Sequence, residues 1–202
     1  MENKRKENQQ SLQLVLASTS TYRSALLARL QLPFQADSPE VDETPQEGES
    51  GAECAARLSC LKARAVATRH PHALIIGSDQ VSECQGRRLD KPGTAERAIE
   101  QLIWASGKQA VFSTAVTVLN SVSGTEQTRV IPTTVRYRAV SRAEIERYLR
   151  QEPAFDCAGS AKAEGLGIAL LEAIEGTDPT ALIGLPLIAL CAMLRREGVE
   201  IL

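Results

Sequence analysis

Ile75-Ile76-Gly77-Ser78-Asp79-Gln80-Val81 is a short apolar run that turns polar around a single carboxylate. Branched aliphatic residues bounded by Gly and polar positions predict a buried strand, and Asp79 stands where that strand is expected to surface. A strand-ending Asp is by default a turn former or a helix cap. Whether it does chemistry depends on what the rest of the chain brings to it. Side chains alternate along a strand, so Asp79 faces one side of a sheet while Ser78 and Gln80 face the other. Gly77 permits close approach of another backbone.

Toward the N-terminus, Leu12 to Ala17 predicts a first strand that runs into Ser18-Thr19-Ser20-Thr21-Tyr22-Arg23 and then a helix beginning at Ala25. The first turn of a helix carries N–H groups without intrahelical partners and a partial positive charge, which suits an anion. Ser18, Ser20 and Thr21 add hydroxyls and Arg23 a planar fork for phosphate oxygens. Simple capping by Ser20 or Thr21 is the competing reading. The proline-fenced loop Pro39 to Pro45 carries Glu40, Asp42 and Glu43, oxygen donors suited to a hard cation such as Mg²⁺ or equally to a solvated acidic loop. Ser50-Gly51-Ala52-Glu53 has capping-box spacing and opens a helix to about Arg69. Lys62 lies one turn beyond Leu58 on its apolar stripe, where an ammonium either snorkels to solvent or meets an anion.

Toward the C-terminus, Gln85-Gly86 predicts a hairpin tip returning to Leu89-Asp90-Lys91-Pro92, and Thr94 caps a helix ending near Gly107. Alternating β-branched segments over 110–119, 127–131 and 135–140 predict antiparallel strands added to the sheet. A second capping box, Ser141-Arg142-Ala143-Glu144, starts a helix through about Arg150. The Gly-punctuated polar stretch from Asp156 to Gly167, with Glu164 inside it, is expected to be a binding loop. A strand over 168–174 and an amphipathic helix from Pro186 to Arg196 follow.

The 202 residues suffice for one sizeable core, and residues 11–202 are read as a single domain behind a disordered tail over 1–10. Aromatics at 3% leave few stacking platforms for single-stranded nucleic acid, and a formal charge of −2 argues against a nucleic-acid or membrane-surface binder. Five cysteines without C-x-x-C spacing and two histidines fit reduced thiols in a cytoplasmic protein, neither a disulfide framework nor a zinc site.

Taken together, these blocks resemble the Maf family of nucleoside triphosphate pyrophosphatases. The resemblance spans Leu14 to Arg196 and is carried by Leu16-Ala17-Ser18-Thr19-Ser20 with Arg23, Val41-Asp42-Glu43, Arg57-Leu58 with Lys62-Ala63, Gly77 to Val81, Lys91-Pro92, Ala158-Gly159-Ser160 with Glu164 to Gly167, and Leu182 to Leu187. It implies an α/β fold with an elongated mixed sheet flanked by helices, two lobes about a central cleft, a homodimer, and cleavage between the α and β phosphates with a divalent metal such as Mg²⁺ or Mn²⁺. Asp79 is implied as proton acceptor, Lys62 and Lys91 as catalytic cations, and Ser18, Ser20 and Arg23 as substrate-binding residues. Glu43, with Glu40, Asp42 or Asp79, is implied to hold the metal. Ser78, Gln80 and Glu164 match the branch that acts on 7-methyl-GTP, where Gln80, Glu164 and Tyr22 are implied to select the base. A carboxylate suits guanine's adjacent N–H donors, and an aromatic face suits a base made cationic by methylation. The family signature has proline and a second arginine where this chain has Thr21 and Ser24, which implies one positive charge fewer. The rival expectation is a regulator of division or septation that binds nucleotide without turnover; another keeps the enzyme and changes the substrate to other modified nucleotides.

Overall fold

In the computed structural model, which describes residues 12–202, the apolar stretch Gln13–Ala17 forms the first strand (β1). The tail expected over 1–10 lies outside the described residues. After β1 come helix Thr21–Ala28 (α1), strand Phe34–Asp37 (β2), helix Gly51–Ala67 (α2) and strand Ala73–Cys84 (β3). The return Arg87–Arg88 (β4), helix Ala95–Ala105 (α3), strands Gln109–Asn120 (β5) and Glu126–Tyr137 (β6), helix Arg142–Gln151 (α4), strand Leu171–Gly176 (β7) and helix Leu187–Arg196 (α5) follow.

The strands form one sheet in the order β2-β1-β3-β5-β6-β7, with β4 paired on β3. β1 lies parallel to β2 and β3, whereas β3, β5, β6 and β7 are successively antiparallel, so the sheet is mixed as expected. Period-two alternation sorts β1 between two layers. Leu14 and Leu16 pack with Leu26 and Leu27 of α1 and Leu190 and Leu194 of α5, while Val15 and Ala17 pack with Ala63 and Val66 of α2. A separate apolar mass joins Leu102 of α3 and Ile145 and Leu149 of α4 to Phe112, Val135 and Tyr137. The core therefore falls into several clusters along the sheet, and Ala17, Leu58, Val81 and Phe112 from three of them line a cleft. No helix among the described residues is long and apolar enough to cross a membrane.

Four expectations need correction. β3 does not end at Asp79 but continues to Cys84, because both of its faces are covered and even Ser82 is buried. The two strands expected over 127–131 and 135–140 are one, β6, running straight through Pro132. That proline stands just outside the Thr133–Tyr137 segment that pairs with β7, on a stretch where β6 is an edge and a missing N–H is tolerated. The strand expected from Ile168 starts only at Leu171, after a 3₁₀ segment Leu166–Leu170. Helix α1 begins at Thr21 and not Ala25, because the Arg23 N–H donates to Ser20 Oγ and caps it there. The hairpin tip falls as expected at Gln85-Gly86, both with positive φ (51° and 76°).

The register of three strands creates the opening that matters. β1 stops with Ala17 opposite Gly77, and β4 joins β3 only at Glu83. Between them, residues 78–81 have no strand on that side, so the middle of a buried strand borders a cleft.

Candidate active site

The buried stripe of α2 runs Cys54, Ala55, Leu58, Ser59, Lys62, Ala63 and Val66, and places a lysine among apolar and small residues. Lys62 does not snorkel: it is 4% exposed, and its Nζ donates to Asp79 Oδ1 at 2.6 Å and contacts Glu43 Oε1 at 2.8 Å. Asp79 is 7% exposed in the middle of β3. The two elements approach closely because of Gly77. A Cβ there would drive into the Ser59 carbonyl of α2 and lie 3.0 Å from the Ala63 nitrogen. Only a residue without a side chain lets α2 settle this low on β3, and the depth sets the Lys62–Asp79 distance. Lys62 takes Oδ1; Oδ2 has no hydrogen-bond partner among the described residues and is not fully buried.

The hydroxyl-rich turn adjoins this pair where β1 ends. Ser18 Oγ accepts from the Ser20 N–H at 3.1 Å, and Ser20 caps α1. Thr21 is the first helical residue, a position where proline is also favoured. Arg23 donates through Nε to the Gly184 carbonyl at 2.9 Å, so its terminal nitrogens can address a ligand. Burial holds its pKa below the ordinary arginine value, and the charges of Asp79 and Glu43 offset this only in part. The segment around Gly184 is itself anchored: Asp178, 3% exposed, accepts from the Ile188 and Ala189 N–H groups at the start of α5 and holds Thr180. This brace was not legible in the sequence, because Asp178 meets the N–H groups of Ile188 and Ala189 only across the folded chain.

Ser18, Ser20, Tyr22, Arg23, Glu43, Lys62, Asp79, Gln80, Lys91 and Glu164 all line one cleft of about 620 Å³, a volume typical of ligand sites. Lys91 and Glu164 are exposed at its edge. Gln80 spends its amide nitrogen on Thr114 Oγ1 and on the Ala181 and Leu182 carbonyls, at 2.9 to 3.0 Å. It therefore fixes the far wall with its nitrogen, which leaves its oxygen as the end available to a base. Two of the candidate metal ligands do not reach the cleft. Asp42 accepts from the Thr44 N–H at 2.9 Å as a turn former, and Glu40 stands exposed with φ 42° outside the lining. Among the described residues no three acidic, Cys or His side chains converge as a metal cluster. Glu43 and Asp79 nevertheless hold a cation between them, the Lys62 ammonium. Two hard oxygen donors beside the hydroxyl-rich turn fit a divalent ion, which takes carboxylate and water oxygens.

The stretch from Asp156 expected as a binding loop lines the cleft, and two of its residues have contacts there that the sequence did not single out. Tyr22 Oη donates to Asp156 Oδ2 at 2.9 Å, and Lys162 Nζ sits 3.2 Å from Asp156 Oδ1 and 5.4 Å from the centre of the Tyr22 ring. The ring expected to face a cationic base already faces a cation. Cys157 also lines the cleft, but burial pushes its thiol up to about 12, so it is no nucleophile at neutral pH.

The profile of the family described as Maf-like protein matches residues 13–197. A relative from Thiobacillus denitrificans, named 7-methyl-GTP pyrophosphatase, is 57% identical over 94% of this chain and 94% of its own length. Relatives of the same name from Polaromonas sp. and Pseudomonas aeruginosa are 55% and 52% identical, each over 93% of this chain and over 86% and 98% of their own lengths. Among solved structures, that of the Staphylococcus aureus Ham1 protein overlaps 62% of this chain and 71% of its own at 15% identity and TM-score 0.43.

Proposed function

Because this chain belongs to the Maf family, we propose that it hydrolyses 7-methyl-GTP to 7-methyl-GMP and pyrophosphate, a nucleotide house-cleaning activity. The observation that carries the reading is the buried Lys62–Asp79 pair opening onto a cleft whose other wall is the hydroxyl-rich turn of α1. Burying this ion pair costs several kcal/mol per ion in desolvation, and here it fixes a carboxylate at the wall of a cleft, the placement that a general base requires.

In this reading the triphosphate lies against the first turn of α1, where Ser18, Ser20 and the unpaired N–H groups orient it and Arg23 grips it. Lys62 and Lys91 neutralise charge that builds on the phosphate oxygens. Asp79, held by Lys62 through Oδ1, accepts the proton of the attacking water at Oδ2. Glu43 and Asp79 are the residues that would hold a divalent cation such as Mg²⁺ or Mn²⁺, whose contribution when bound is to neutralise and polarise phosphate oxygens. Glu164 accepts from the guanine edge, the Gln80 oxygen adds a second polar contact, and the Tyr22 ring takes the positive face of the methylated base. The same reading makes the protein a cytoplasmic homodimer with residues 11–202 as one domain.

The test is a panel of 7-methyl-GTP, GTP, dTTP, UTP and other modified triphosphates with Mg²⁺ or Mn²⁺, scored by pyrophosphate release. The expected result is the highest kcat/KM on 7-methyl-GTP. Nucleotide binding without pyrophosphate from any member would instead support the septation regulator.

A further inference from the structure

Lys162 has no part in the reaction as set out above, yet it is a cation built into the cleft. Its backbone is fixed: its N–H donates to Tyr148 Oη at 3.0 Å, and its carbonyl accepts from the Gly165 N–H at 3.0 Å. Gly167 packs so closely on this main chain that a Cβ there would overlap it. From that base the side chain crosses to Tyr22 in the first turn of α1, the turn that presents N–H groups and Arg23 to the same cleft. Its ion-pair partner Asp156 has a side chain 59% exposed, and such pairs are worth little in water. Burial lowers the lysine's pKa, but the contacts with Tyr22 and Asp156 raise it further, so the ammonium stays charged.

We propose that Lys162 is a further substrate-binding residue, whose ammonium leaves Asp156 to bond a phosphate oxygen of the nucleotide seated at the α1 turn. The choice of residue rests on this geometry, and the identity of the nucleotide rests on the pyrophosphatase reading. A phosphate chain carries more charge than one carboxylate and displaces it from the flexible lysine.

Calorimetric binding of inorganic tripolyphosphate and of 7-methylguanosine, which has no phosphate, tests this at fixed ionic strength. Lys162→Met is expected to weaken tripolyphosphate about tenfold or more, the scale of one charge-assisted hydrogen bond, and to leave the nucleoside unchanged. Lys162→Arg is expected to restore most of the loss. Asp156→Asn, which frees the lysine without removing it, is expected to keep or tighten tripolyphosphate binding. Unchanged tripolyphosphate affinity in Lys162→Met, an equal loss for the nucleoside, weaker binding in Asp156→Asn, or no binding by the wild type would each overturn the assignment. These are measurements without turnover. A protein that shows the expected pattern but cleaves no nucleotide would end the functional reading and leave Lys162 as a phosphate ligand.

Discussion

Lys62 is the residue on which the site depends, because it serves the fold and the chemistry with one ammonium. Its contacts at 2.6 Å and 2.8 Å tie Asp79 and Glu43 together. Lys62→Met should leave Asp79 as a buried carboxylate without its hydrogen-bonded ammonium and lower stability by about 3 kcal/mol. Urea denaturation checks this, and an unchanged midpoint would mean that the pair contributes nothing to folding. Lys62 was legible in the sequence because helical periodicity alone places it one turn after Leu58, on the buried stripe. Lys162 was legible only as one residue of an expected binding loop, because its individual meaning comes from Tyr22 and Asp156. The loop carrying Lys162 and Asp156 meets Tyr22 only through the fold, and no local period records such a contact.

The decisive element contact is α2 on β3, and Gly77 governs it. Gly77→Ala would push against the Ser59 carbonyl and the Ala63 nitrogen, both backbone atoms that cannot rotate away. The expected outcome is a loss of about 2 kcal/mol from overpacking, together with a fall in kcat, because lifting α2 carries Lys62 away from Asp79. Thermal melting and steady-state kinetics check the two parts; a stable, fully active variant would show that the depth of α2 does not set the ion pair. Capping boxes made the starts of α2 and α4 legible to the residue, as both Ser50–Glu53 and Ser141–Glu144 form reciprocal bonds. Strand limits were less so. β2 has four half-exposed or exposed residues and no alternation to detect, and β6 hides its continuity behind Pro132.

At the scale of the whole molecule, the α/β class followed from the order of segments, but the cleft did not. Its position depends on β1 ending opposite Gly77 while β3 runs on, a matter of register between strands rather than of either strand's composition. Two ion pairs and a helix-capping hydrogen bond bear on stability against acid. Arg57 holds the Glu49 carboxyl down to about 2, Arg69 does the same for Asp37, and the Ser141 N–H does so for Glu144. Carboxyls near 4 in the unfolded chain and near 2 in the folded one stabilise above about pH 4 and lose that contribution as pH falls toward 2. Urea midpoints should therefore drop between about pH 5 and pH 2; a flat profile would count against these pairs. The chemistry itself is tested most directly by Asp79→Asn, in which Lys62 keeps Glu43 as a partner and the fold is expected to survive. With 7-methyl-GTP and Mg²⁺, the variant should bind nucleotide as the wild type does and release pyrophosphate about a hundredfold more slowly or not at all. Normal turnover by a folded Asp79→Asn protein would contradict the account.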